Sequence, residues 1–163
     1  MQELKRKLLT RQISYSEALP LALPDLRGKI ADDKLLWLAS ELQGYQNAME
    51  FYQSRVGDFP KWRIVKGQLR LLNTAGALVS VNHPFANRAE FFLGAPISWL
   101  EQFASQPEDP SLVDLPELTS LIGKGTGNVV CVLPRAQLNL VIANSRRDFM
   151  SLLDHVLSQT PQA

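Results

Sequence analysis

One cysteine and two histidines are the whole supply of thiol and imidazole ligands in 163 residues. Cys131 has no intramolecular partner, so a disulfide framework is excluded, and no pair of these side chains stands at zinc spacing. Neither metal nor cofactor is expected. Long apolar runs are missing too: the densest, "ALPLALP" at 18–24, is broken by Pro20 and Pro24 and falls far short of the ~18 residues of a membrane span. The opening "MQELKRKLLTRQ" lacks the apolar core of a secretory signal. These absences predict no membrane association and a reducing, cytoplasmic home. Charge of one sign is also lacking. Seventeen Lys and Arg meet sixteen Asp and Glu, a formal balance of +1 that does not make a dedicated nucleic-acid binder.

What is present is a change of period along the chain. Leu4, Leu8 and Leu9 form a stripe on a short helix, and Ser14 with Glu17 has the spacing of a capping box opening a second. Pro20 and Pro24 predict that this second helix splits into two pieces. Asp32 or Asp33 is placed to cap a third, on which Leu35, Leu38, Leu42 and Tyr45 share a face before Gly44 stops it. Alternation then takes over: Val65, Leu69 and Leu71 against Lys66, Gln68 and Arg70 predict one strand, bulged at Gly67. "NTAG" predicts a hairpin turn to "ALVSV". After a helix following Pro96, "QPEDPSLVDLPE" has the composition of a linker, "VVCVL" of a strand, and the chain closes on a long amphipathic helix opened by Pro134. The expectation is a single α+β domain over 1–163. Short helices at 1–45, a strand-rich middle at 61–95 and a helix at 134–158 pack on a small antiparallel sheet. The last helix should meet the face carrying Leu35, Leu38 and Leu42.

Few residues combine into chemistry. Cys131, inside "VVCVL", is expected as a small buried hydrophobe, His83 as a solvated loop residue, and His155 as a helix-end cation. "GKGTGN" fails as a Walker loop, because its glycines alternate and lead to a strand; Gly123, Lys124, Gly125 and Gly127 remain as an anion-binding turn. Glu41, Glu50 and Asp58 have no spacing that fixes an acid/base pair, and solvated positions are expected for them. No catalytic residue is assigned. "PKWRIVKGQLR" surrounds Trp62 with Lys61, Arg63, Lys66 and Arg70, the composition of a nucleic-acid contact strip and equally of the wet side of a strand.

"WLASELQGY" followed by "FPKWR" resembles the AbiTii-type abortive-infection domains, through Trp37, Glu41, Leu42, Gly44, Tyr45, Pro60 and Arg63, with Trp62 where that family more often has Tyr. The resemblance implies a part in bacterial defence against phage, with no agreed catalytic set. From the residues alone, Arg63 is suited to hold a helix end or carboxylate by paired hydrogen bonds. Tyr45, Trp62, Arg63, Lys66 and Arg70 are the candidate binding residues, aromatics and arginine being the usual anchors of interfaces. The expected function is recognition of a protein partner, or self-association, without catalysis. The alternative is a toxin that binds or cleaves nucleic acid with the strip 61–70.

Overall fold

The computed structural model describes residues 1–53, 59–88, 90–123 and 125–159. Helices come first: α1 (Gln2–Leu9), α2 (Tyr15–Leu26), α3 (Asp32–Gln43) and α4 (Ala48–Gln53). A one-turn 3-10 helix, Lys61–Arg63, leads to strands β1 (Ile64–Lys66), β2 (Gln68–Asn73), β3 (Leu78–Ser80) and β4 (Glu90–Phe92). Then follow α5 (Ile97–Ser105), β5 (Ser111–Asp114), the short α6 (Pro116–Leu118), β6 (Gly127–Leu133) and the 25-residue α7 (Arg135–Gln159). The fold is α+β, its helices packed on small antiparallel sheets. One sheet has the order β3-β2-β6-β5, and β1 with β4 forms a separate pair.

Gly67 explains why there are two sheets. The alternation around it predicts one strand, but the chain changes partner there, β1 pairing with β4 and β2 with β3 and β6. A Cβ at Gly67 would lie 2.7 Å from Cys131 Sγ and 2.8 Å from the Val132 carbonyl. The glycine is a site of close backbone approach rather than a bulge within one ladder. The predicted β2–β3 hairpin is present, and Asn73 Oδ1 accepts from the amides of Ala75 and Ala77. The segment read as a linker instead supplies β5, whose Leu112 and Val113 pair with Val132 and Cys131.

Three local expectations about helices also change. α2 runs unbroken through Pro20 and Pro24, because both lie on its exposed side, four residues apart. Tyr15, Ala18, Leu19, Ala22 and Leu26 hold the inner face. The Ser14–Glu17 capping box that opens it is formed as expected. Ala31, not an aspartate, is the N-cap of α3; Asp32 and Asp33 sit inside its first turn, where the helix dipole favours negative charge. Leu9 is exposed, leaving Leu8 and Leu4 to seat α1.

α7 is a main wall of the core. Leu138, Val141, Phe149, Leu153 and Val156 are buried along it, and Ser145 shares a 2.7 Å hydrogen bond with the Tyr15 hydroxyl. Its neighbours are mainly α5, α1 and the 61–63 turn, rather than the apolar face of α3, which packs on α2 and α5. An open groove lies between α3 and α7. Among the described residues no helix is long and apolar enough to cross a membrane.

Candidate functional site

Trp37 and Glu41, four residues apart, lie one turn apart on the same side of α3, and Tyr45 follows just past the Gly44 cap. Glu41 was expected in solvent; it is fully buried. Its Oε1 accepts from Trp37 Nε1 at 3.1 Å, from the Tyr45 hydroxyl at 3.0 Å and from Arg63 Nε at 3.3 Å, and its Oε2 accepts from Arg63 Nη2. Arg63 is equally buried and reaches the carboxylate from the turn after Pro60. Its Nη1 donates to the carbonyls of Leu93 and Ala95 at 2.6 and 2.7 Å. Convergent donors of this kind offset the cost of removing two charges from water, a cost of several kcal/mol per ion when unmet. The Tyr45 hydroxyl has its pKa driven well up by burial and then by the Glu41 carboxylate, so it stays a donor to that carboxylate.

The bend between β4 and α5 closes around this pair. The Tyr45 amide donates to the Gly94 carbonyl at 2.8 Å, so the carbonyls of residues 93, 94 and 95 are all engaged by the two halves of the motif. Gly44, at φ +95°, ends α3 beside that bend, and a Cβ there would lie 3.2 Å from Pro96. Glycine supplies both the left-handed turn and the close approach.

The outer side of the same cluster is a wall of the groove. Trp37, Tyr45, Phe59 and Trp62 face a cleft of about 850 Å³, with α3 and α7 as its banks. Trp37 and Trp62 meet edge to face, ring centroids 6.4 Å apart, and Trp62 Nε1 donates to Asp148 Oδ2 at 3.1 Å across the 61–63/α7 contact. The Arg63 guanidinium lies 4.8 Å from the Tyr45 ring centre, stiffening the wall from behind. Asp148, Ser151 and His155 recur along the α7 bank. They do not form a nucleophile and base: Asp148 is engaged by Trp62 and Arg147, and no hydrogen bond among the described residues joins Ser151 to His155. Among the described residues no group of three His, Cys, Asp or Glu is arranged to hold a metal. The groove is equipped for stacking, hydrogen bonding and charge, the apparatus of binding.

Of the candidate binding residues, Tyr45 and Trp62 therefore share the groove, while Arg63 lies behind it. Lys66 is exposed on β1 opposite Glu90, and its amide donates to Gln137. Arg70 is half-buried and folds onto its own strand, donating to the Leu69 carbonyl and to Gln68. Burial of Arg63 takes it out of the strip around Trp62. In the glycine turn, Gly123 is buried, its carbonyl accepts from the Thr126 amide and hydroxyl, and Gly127 begins β6, where a Cβ would collide with the Leu72 carbonyl at 2.2 Å. Lys124, like Asp58, lies outside the described residues. Cys131 is buried in mid-sheet, which pushes its thiol up to about 12, and His83 is half-buried, its Nδ1 accepting from the Phe85 amide.

Sequence reasoning missed Glu41 and the α7 bank. A signal for Glu41 exists: an acid midway between Trp37 and Tyr45, flanked by Leu38 and Leu42, sits on an inward face and needs a cation. For Asp148 there is none, because its partner Trp62 is 86 residues away. The chain matches no family model, no curated protein and no solved structure.

Proposed function

We propose that the chain is a partner-recognition domain of a bacterial phage-defence system, acting through the groove between α3 and α7 and without catalysis of its own. The observation that carries the reading is the arrangement of the motif. Its polar members, Glu41 and Arg63, make a buried lock, and its aromatic members present a stiffened wall to an open cleft. Rigid aromatic walls lose little entropy on binding and dominate interface energetics. The setting in phage defence rests on the resemblance of "WLASELQGY" and "FPKWR" to abortive-infection domains. The occupant is a protein partner or a second copy of the chain.

Light scattering of the purified protein, followed by pull-downs from phage-infected cells with wild type and Trp62→Ala, tests this. Self-association or capture of a partner, reduced by Trp62→Ala, is the expected result. A strict monomer that captures nothing under either condition overturns the reading. The nucleic-acid alternative now rests on Lys61, Lys66 and Arg70, and it demands binding that weakens steeply as salt rises.

A further inference from the structure

Among the described residues that line the groove, two carboxylates, Asp33 on the α3 bank and Asp148 on the α7 bank, stand with the ammonium of Lys34 and the imidazole of His155. Asp148 is held for use. Its Oδ2 is fixed by the Trp62 indole at 3.1 Å, while among the described residues Oδ1 has the guanidinium of Arg147 at 3.4 Å, a long contact from a largely exposed side chain. That guanidinium marks where a cation settles, and it is easily displaced, since exposed ion pairs contribute little. Beside the carboxylate stand the indoles of Trp37 and Trp62, whose rings attract cations and cover aliphatic stems. Leu36, 69% exposed on the rim, adds an apolar contact.

We infer that the groove takes a segment of a partner protein that alternates basic and apolar side chains. An arginine or lysine of that segment lies across Trp62 with its charge on Asp148, and a neighbouring apolar side chain packs on Leu36 and Trp37. A phosphate backbone is disfavoured, because both carboxylates repel it. This assignment rests on the groove being the recognition surface, as proposed above.

The molecule carries its own reporter. Of three tryptophans, Trp37 and Trp62 line the groove, and Trp99 stands on α5 outside it. In a Trp99→Phe background, fluorescence therefore reads the groove alone. The probes are the peptide acetyl-Arg-Leu-Arg-Leu-Arg-Leu-amide, its Glu-Leu and Ser-Leu counterparts, and oligothymidylate. The Arg-Leu peptide is expected to change the emission saturably. Asp33→Asn with Asp148→Asn should weaken it about tenfold, the scale of a lost charge-assisted hydrogen bond. Leu36→Ala should weaken it a few-fold, with thermal midpoints near wild type in both variants. Equal or tighter binding of the Glu-Leu or Ser-Leu peptide, or indifference to the Asn variants, overturns the basic-segment assignment and leaves a groove that recognises protein. Preference for oligothymidylate overturns both. Silence toward every probe overturns the assignment, and the partner-capture experiment then decides the broader reading independently.

Discussion

Glu41 and Glu117 are carboxyl groups withdrawn from water in two different ways. Around Glu41 four side-chain donors converge from α3, Tyr45 and Arg63. At the start of α6, Glu117 has one oxygen shielded from solvent and without a hydrogen-bond partner, and burial raises its pKa. The fold thus depends on one charge and carries the other at a cost. The difference teaches that burial alone does not decide a carboxylate's effect; the number of donors brought to it does.

The strongest way to break this contrast is to remove one side of the Glu41 pair. Arg63→Ala is expected to cost about 3–5 kcal/mol in urea unfolding, because it leaves an uncompensated buried charge. Glu41→Leu combined with Arg63→Met should recover much of that loss, since apolar replacement of both partners removes the desolvation cost together with the attraction. A double variant no more stable than Arg63→Ala would mean that the groups it leaves unmet, the Trp37 and Tyr45 donors and the Leu93 and Ala95 carbonyls, outweigh the ion pair. Leu153→Ala supplies the apolar yardstick, expected at about 2–5 kcal/mol, set by the cavity it leaves on α7. If it costs more than Arg63→Ala, the polar lock is secondary to the core.

Glu117→Gln should act in the opposite direction and with a pH signature. A raised carboxyl pKa means that the folded state holds the proton longer than the unfolded chain. Stability therefore falls as pH rises from the ordinary 4.5 of this side chain through its higher folded value. The variant should have a higher thermal midpoint than wild type at neutral pH and lose that advantage below the ordinary value. A pH-independent difference would assign the effect to packing. The smallest change is expected at Arg147→Ala, within about 0.5 kcal/mol, its contact with Asp148 being long and exposed.

Legibility in the sequence followed the range of the forces involved. The Ser14–Glu17 box, the hairpin at Asn73 and the inner stripe of α7 are set by neighbours within a few residues, and all were readable. The division at Gly67 was not, because the atom that forbids a side chain there belongs to Cys131, far along the chain. Continuity of α2 is not legible for a related reason: the rule against internal proline is local, while the packing that overrides it comes from the core. At the groove, Tyr45 and Trp62 were found by residue type, but the carboxylates that give the cleft its charge depend on how α7 returns to α3.

Cys131 gives the sheet a clock. It stands on β6 between Leu69 and Val113 with its side chain buried in the core, so a reagent reaches its sulfur only when the packing over that part of the sheet opens. With the thiol pushed up to about 12, the closed form offers almost no thiolate at neutral pH. The rate at which a thiol reagent modifies the native protein therefore measures how often the middle of the sheet opens, with no label introduced. A groove occupant that restrains only the banks should leave that rate unchanged, and one that stabilises the whole fold should slow it in proportion to its affinity.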